Sequence, residues 1–284
     1  MIGAIIQART SSTRLPGKVL LELPYGSGIT VLQQVIRRLK QSKKIEAIIV
    51  ATTEDEADDA IVDIASREGV SSFRGSKENV LERYYLAAKT FGLETIVRIT
   101  SDCPCVDASI VDSLVHQHID AGADYTSNAL NRTYPHGLDA EVISFTALTE
   151  AYEQATKGFE KEHVTPFIYK ANPGKFKILF ATAPEVLKHP DIRITLDTKE
   201  DYVLLCILYD YLYQSNIFFN VHDIMKIFYE KPWIKLINKD VAQKKIFDNL
   251  DDEIKEAVYL LNLWDLKRAS SYVNEKMLDT GFGT

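Results

Sequence analysis

The stretch IGAIIQARTSSTRLPGK, residues 2–18, decides the fold. Its first part, Ile2–Ala8, is mostly apolar and predicts a buried strand, and its second part, Arg9–Lys18, reads as a polar loop. Working outward, the predicted elements are a helix at 30–39, a strand at 45–51, a helix at 55–67, a strand at 69–73, a helix at 78–91, a strand at 95–100, a helix at 108–121 and a short strand near Tyr125. This alternation predicts an α/β fold with a mostly parallel, mixed sheet and helices on both faces.

The pattern changes in the C-terminal half of the chain. The predicted elements after residue 128 are a loop at 131–138, a strand at 140–143, helices at 146–156 and 160–169, and extended segments at 176–181 and 192–196. From Lys199 onward the helical pattern dominates, with a break at Pro232. We therefore expect a core domain at 1–215 and a helical C-terminal extension at 216–284 that packs on the core.

Composition and charge exclude several classes of protein. Hydrophobic residues make up 46% and charged residues 26% of the 284 residues, which is the balance of a folded globular chain. The net charge of −7 argues against nucleic acid or an anionic membrane as the main partner. No apolar run approaches the ~18 residues of a membrane span, and the N-terminus does not resemble a secretory signal. Together with only three cysteines, these features predict a cytoplasmic protein.

The loop after the first strand is a candidate anion site. Ligands of open parallel sheets bind at the carboxyl ends of the strands, and this loop places Arg9, Arg14 and Lys18 there, with several hydroxyl groups. Converging cationic donors suit the oxygens of a polyphosphate, which otherwise repel one another. Lys18 is followed by Val19, so the loop is not the GxxxxGK[ST] phosphate loop.

Two carboxylates follow apolar segments that are predicted to be extended. Asp102 comes after the strand at 95–100, and Asp197 comes after the segment at 192–196. The alternative is that both residues are purely structural: Asp102 would form a turn, and Asp197 would cap a helix. Because Mg²⁺ takes one or two carboxylates together with phosphate oxygens and water, we favour a metal–polyphosphate site that these residues share with the cationic loop. For Asp107 we favour the helix cap.

Five motifs occur in a characteristic order: IIQARTSSTRLPGK at 5–18, FRGS at 73–76 with NVL at 79–81 and RYY at 83–85, SDCP at 101–104, YPHGLDAE at 134–141, and EHVTP at 162–166. This set closely resembles the cytidylyltransferases that activate acidic sugars. The resemblance is greatest to the spore-coat polysaccharide biosynthesis protein F group and extends to the acylneuraminate and ketodeoxyoctonate cytidylyltransferases. It covers residues 1 to about 240.

The resemblance implies a GT-A-like nucleotide-diphospho-sugar transferase fold and a Mg²⁺-dependent transfer of CMP from CTP, or of NMP from another NTP, with pyrophosphate release. Its catalytic residues would be Arg9, Arg14, Lys18, Asp102 and Asp197, the last two as metal ligands. The nucleotide would contact Ala8, Arg9, Ser11, Arg14, Lys18, Arg74, Gly75, Asn79 and Ser101. The acceptor would face His136, Asp139, Glu141, His163 and Arg193. A homodimer is also implied.

Two positions depart from the family pattern. Thr195 stands where sialate-type enzymes have a second Asp, and His136 stands where close relatives often have Asp. The acceptor is therefore left open among small anionic metabolites, such as a sugar acid or a phosphorylated or phosphonylated compound. Two other functions remain as alternatives: a glycosyltransferase that uses a nucleotide-sugar, for which we find no DxD-type motif, and a non-catalytic nucleotide-binding scaffold.

Overall fold

The computed structural model describes residues 1–172, 174–241 and 250–279, and its strands form a seven-stranded sheet. The strands are β1 (Ile2–Gln7), β2 (Ala47–Thr53), β3 (Ser71–Gly75), β4 (Thr95–Thr100), β5 (Tyr125–Ser127), β6 (Glu141–Ser144) and β7 (Ile178–Phe180). Their order across the sheet is β3-β2-β1-β4-β6-β5-β7. Strand β6 runs antiparallel to β4 and β5, and the other pairs are parallel. The predicted mixed, mostly parallel sheet is confirmed.

Helices cover both faces of this sheet. In the part of the first 240 residues that the structure describes, the helices are α1 (Val31–Leu39), α2 (Asp59–Arg67), α3 (Val80–Thr90), α4 (Ala108–Ala121), α5 (Phe145–Gln154), α6 (Gly158–His163), α7 (Lys199–Leu212) and α8 (Val221–Glu230). Two further helices, α9 (Leu250–Leu263) and α10 (Lys267–Asp279), follow later in the chain. Ala4 and Ile6 of β1 join one apolar cluster and Ile5 joins the other, because neighbouring side chains of a strand point to opposite faces. The first cluster includes residues of α1, α4, α7 and α8, and the second includes residues of α3 and α5.

The chain forms two compact units, Met1–Asp240 and Val241–Thr284. The first unit extends beyond the predicted boundary at residue 215 because α8 contributes buried side chains to its core, among them Val221 and Ile224. The second unit contains α9 and α10, which contact each other. Across the described residues, no helix is both long and apolar enough to span a membrane.

Two predicted elements differ in the structure. The segment at 192–196 is not a strand of the sheet; instead it forms a single parallel bridge between Arg193 and His136. Its apolar side chains are buried, but its backbone pairs with a loop. The helix predicted at 160–169 ends at His163 in α6, and a wide helical turn follows at Phe167–Ala171. Pro166 lies at this break and has no backbone N–H with which to continue a helix.

Candidate active site

Lys18 lies between two carboxylates at the carboxyl edge of the sheet. Its ammonium nitrogen is 2.8 Å from Oδ2 of Asp102 and 2.9 Å from Oδ1 of Asp197. The three side chains are largely enclosed, with exposed fractions of 11% for Lys18, 25% for Asp102 and 17% for Asp197. The structure thus brings together one cation of the N-terminal loop and both carboxylates that the sequence singled out.

Backbone contacts fix the positions of the two carboxylates. Asp102 follows β4, and its carbonyl oxygen accepts hydrogen bonds from the Leu196 amide at 2.8 Å and the Thr195 hydroxyl at 3.1 Å. Asp197 directly follows Leu196 in the chain and precedes Thr198, which caps α7. The Thr195 side chain therefore holds the segment of Asp197 against the turn of Asp102.

The charges of this cluster stabilise one another. Burial alone would raise the pKa of Asp197, but Lys18 and two arginines, Arg14 and Arg193, outweigh burial and lower the pKa to about 2. Burial also opposes ionisation of Asp102, and Lys18 nevertheless lowers its pKa. Conversely, the two carboxylates raise the pKa of Lys18 against the effect of burial. All three groups are therefore charged at neutral pH.

Arg193 connects Asp197 to a buried anchor. Its Nη2 is 2.9 Å from Oδ2 of Asp197, and its Nε and Nη2 donate to the two carboxylate oxygens of Asp201 at 2.8 Å each. Asp201 is fully buried and also accepts from Nδ2 of Asn238 at 2.8 Å. Arg14 approaches Asp197 from the loop, with its Nη2 3.1 Å from Oδ2. Asp197 thus contacts three cations: Lys18, Arg14 and Arg193.

His136 lies next to this cluster on the side assigned to the acceptor. Its Nδ1 is 3.1 Å from Nη1 of Arg193. Since a guanidinium only donates hydrogen bonds, Nδ1 accepts, and the proton of the neutral imidazole is on Nε2. Burial lowers the pKa of His136, which favours the neutral form. Asp139 lies 3.7 Å from Nε2 and is bound by Arg132, whose Nη2 is 2.8 Å from Oδ2.

Glu141 and His163, the other two residues assigned to the acceptor, are placed differently. Glu141 on β6 forms a buried ion pair with Arg98 at 2.5 Å and accepts a hydrogen bond from the Tyr125 hydroxyl at 2.6 Å. These partners hold Glu141 in a separate buried cluster on β6. His163 is the last residue of α6 and is half-buried.

The residues assigned to the nucleotide surround the ends of β1, β3 and β4. Ala8 and Ser101 are buried, and the Ser101 amide donates to the carbonyl of Gln7 at 3.2 Å. Arg9, Ser11 and Arg14 are exposed to solvent in the loop. Of the rest, Gly75 ends β3, Arg74 pairs with Asp59, and the Asn79 side chain caps α3 by accepting from the Glu82 amide at 3.1 Å.

Several residues of the site were missed by reasoning from the sequence. Asp201 is one for which a signal existed, because Thr198 and Asp201 form a capping box, a pattern of hydroxyl residue and acid three positions apart. Arg132 and Asn238 carry no such signal. The hydrogen bonds by which Asp58 holds Thr10, at the start of the loop, were also missed.

The donor set fits magnesium better than zinc. Two carboxylates converge on one cation, and Mg²⁺ commonly takes one or two carboxylates while phosphate oxygens and water fill its other positions. A protein zinc site would take three or four His, Cys or acidic ligands. Within residues 1–172, 174–241 and 250–279, no group of three such side chains is placed to hold a metal ion.

Known proteins resemble this chain over most of its length. A protein of Methanocaldococcus jannaschii that is named only as uncharacterized is 40% identical over 240 residues, which are 84% of this chain and 95% of the relative. The spore coat polysaccharide biosynthesis protein SpsF of Bacillus subtilis is 38% identical over 210 residues, which are 72% of this chain and 85% of that protein.

The fold and the family follow from two further similarities. The structure of a cytidylyltransferase from Leptospira borgpetersenii superposes with a TM-score of 0.77 at 33% identity, and the match covers 87% of this chain and 98% of that one. The sequence model of the cytidylyltransferase family matches residues 3–249. The chain therefore belongs to the cytidylyltransferase family and has the nucleotidyltransferase fold and activity of that family.

Proposed function

We propose that this protein transfers CMP from CTP to a small anionic acceptor, with Mg²⁺ bound by Asp102 and Asp197 and with release of pyrophosphate. The observation that carries the proposal is the convergence of Asp102 and Asp197 on the ammonium of Lys18, within 2.9 Å of each carboxylate. Two carboxylates, which suit Mg²⁺, and one ammonium, which suits phosphate, thus meet at the end of the loop that contains Arg9 and Arg14, and this supports the proposal.

The loop cations would hold the triphosphate. In nucleotidyl transfer the protein mainly positions the acceptor oxygen in line with the α-phosphorus and neutralises the leaving pyrophosphate. Arg9 and Arg14 are exposed to solvent and can reach a ligand. With a divalent cation bound by Asp102 and Asp197, the ammonium of Lys18 would be free to contact phosphate oxygens. The metal would supply charge neutralisation at the phosphates, worth several kcal/mol in related sites.

The acceptor side is built to hold an anion in a fixed orientation. Arg193 and Arg14 both contact Asp197 and so bring positive charge beside the metal ligands. The Nε2–H of His136 can donate a hydrogen bond to a carboxylate or phosphate of the acceptor. Because Nδ1 accepts from Arg193, the imidazole in this tautomer binds the acceptor rather than removing its proton. The attacking oxygen is then best supplied by a group that loses its proton easily.

The similarity to SpsF supports a role in polysaccharide or glycoconjugate synthesis at the cell surface, since the name of that relative states spore coat polysaccharide biosynthesis. A sugar acid, or a phosphorylated or phosphonylated metabolite, fits the cationic environment of Asp197. The side chains of the site indicate a triphosphate but do not select its base. The proposal of CTP rests on membership of the cytidylyltransferase family.

Pyrophosphate release tests the proposal most broadly. Each of the four NTPs would be incubated with Mg²⁺ and with a panel of sugar acids, sugar phosphates and phosphonates, with and without a chelator. We expect release only from CTP, only with an anionic acceptor, and only without the chelator. Absence of release from CTP together with sugar transfer from a nucleotide-sugar would identify a glycosyltransferase instead. Tight nucleotide binding without turnover on any acceptor would identify a scaffold.

A further inference from the structure

Asp58 is a buried carboxylate outside the cluster of Lys18, Asp102 and Asp197. It stands at the N-cap of α2 with an exposed fraction of 1%, yet its side chain does not cap that helix. Instead, Oδ1 accepts two hydrogen bonds from Thr10, from the amide at 2.8 Å and from the hydroxyl at 2.7 Å. Oδ2 accepts from the Thr53 hydroxyl at 2.5 Å. Asp58 thus ties the start of the N-terminal loop to the end of β2.

Thr10 passes this restraint on to the far end of the loop. Its carbonyl oxygen accepts hydrogen bonds from the amides of Ser12 and Gly17, each at 2.9 Å. Gly17 has a φ of +68°, which glycine adopts without strain, and the next residue is Lys18. The bond from Gly17 closes the loop on Thr10 and so sets where the Lys18 side chain begins.

A contribution to stability alone does not explain why a buried, ionised carboxylate stands at position 58. Burying an ionised carboxylate is unfavourable unless hydrogen bonds compensate, and an uncharged residue at this position would avoid that cost. Here the bonds from Thr53 and Thr10 overcome the effect of burial and lower the pKa of Asp58, so the group is ionised at neutral pH. The charged carboxylate binds the Thr10 amide and hydroxyl, which belong to the loop that carries Arg9, Arg14 and Lys18.

We propose that Asp58 is a positioning residue for nucleotide binding, which acts through Thr10 and Gly17 to hold the cationic loop in the conformation that receives the triphosphate. This inference rests on the proposed function, because it assumes that the loop binds CTP. The side-chain hydrogen bonds of Asp58 go to Thr10 and Thr53 and not to the loop cations. Its effect should therefore appear in nucleotide affinity more than in the chemical step.

The test compares D58A, T10V and T10S with the wild type. Thr10→Val removes the hydroxyl bond and keeps the shape, whereas Thr10→Ser restores the hydroxyl. We expect D58A to raise the KM for CTP and the dissociation constant measured by calorimetry about tenfold, and T10V about threefold, with kcat changed less. T10S should bind CTP as the wild type does. The double variant D58A/T10V should be no weaker than D58A, because one link is lost in both.

Asp112 provides a control at the opposite end of the strands, near the point where β2 begins. Asp112 accepts hydrogen bonds from the Ser42 side chain and the Lys43 amide, before β2 begins, and D112N should leave CTP affinity unchanged. Thermal melting identifies variants that are unfolded at the assay temperature, and the T10V and T10S pair still decides the matter if D58A does not fold. Wild-type affinity in folded D58A and T10V, or additive losses in the double variant, would overturn the inference. A wild-type protein that does not bind CTP would instead count against the proposed function.

Discussion

Lys18 and Asp102 are 84 positions apart in the sequence, yet the ammonium nitrogen of Lys18 lies 2.8 Å from a carboxylate oxygen of Asp102. The two residues follow β1 and β4, which are neighbouring parallel strands and end at the same edge of the sheet. Because Asp197 contacts the same nitrogen, one cation is shared by two carboxylates from distant parts of the chain. The fold thereby brings one ammonium and two carboxylates together at the carboxyl ends of the strands.

Neutralising either carboxylate should abolish most of the activity without unfolding the protein. We expect D102N and D197N to reduce turnover by about 10²–10³-fold or more, since each change removes a charge that stabilises the transition state through a bound cation. Initial rates of pyrophosphate release measure the effect, and circular dichroism checks the fold. D191N is the control, because Asp191 forms an exposed ion pair with Lys235. Near-normal turnover in both D102N and D197N would refute the metal assignment.

Asp197 should make stability depend on acid pH. Its pKa is about 2 in the folded protein, below the ordinary value of 3.8. A carboxylate with a lowered pKa stabilises the folded state fully above its ordinary pKa, and this contribution is lost as the pH falls toward 2. The free energy of unfolding of the wild type, measured with urea, should therefore fall faster than that of D197N between about pH 4 and pH 2. Parallel curves would show that the carboxylate is not stabilised by its cationic neighbours.

Arg193 should contribute far more to stability than an exposed cation in a similar ion pair. R193M leaves the fully buried Asp201 without its main partner, and breaking a buried pair typically costs about 3–5 kcal/mol. K235M breaks only the exposed pair with Asp191 and should cost about 0–1 kcal/mol. Urea unfolding of both variants gives the comparison. Equal losses would mean that Arg193 does not anchor the segment of Asp197.

Gly137 should be irreplaceable because of its close approach to a neighbouring backbone. Its φ is +114°, and an added Cβ would lie 2.6 Å from the carbonyl carbon of Ile194. We expect G137A to cost about 3 kcal/mol, from strain and from displacement of the segment that carries Arg193. Gly26 is the control, since its φ is +76° but no atom lies within 4 Å of an added Cβ. G26A should therefore cost only about 1–2 kcal/mol.

Replacing Gly137 should also affect acceptor binding, because His136 is the preceding residue. The His136 amide donates to the Ile192 carbonyl at 2.8 Å, and the Ile194 amide donates to the His136 carbonyl at 2.7 Å. Pushing this loop away would separate His136 from Arg193. G137A should consequently raise the KM for the acceptor more than the KM for CTP. An equal effect on both constants would contradict the placement of His136 on the acceptor side.

Local patterns in the sequence predicted much of the fold. The strand Thr95–Thr100 and the helix Ala108–Ala121 have the predicted bounds, and Asp107 caps that helix as expected. Local signals suffice there, because a cap and a C-terminal glycine, Gly122, delimit the helix. The segment at 192–196 was expected to be extended, but its pairing with a loop was not predicted, since apolar residues indicate burial and not the backbone with which a segment pairs.

For the site, the sequence predicted which residues lie at the carboxyl ends of the strands, but not which side chains touch. Parallel strands end together, so the nearness of Lys18 and Asp102 follows from topology. The direct contact of Lys18 with both carboxylates does not, because it depends on side-chain conformations. The hydrogen bond between Thr10 and Asp58 joins residues 48 positions apart, and no periodic pattern in the sequence indicates it. Such contacts are set by packing of the complete fold.

In the proposed mechanism, Asp102 and Asp197 hold one divalent cation together with the nucleotide. The most direct measurement is the binding of Mn²⁺, as a paramagnetic substitute for Mg²⁺, to the protein in the presence of CTP, followed by electron paramagnetic resonance. The account predicts one tightly bound ion per chain in the wild type and at least about tenfold weaker binding in both D102N and D197N. Unchanged Mn²⁺ affinity in either variant would contradict it.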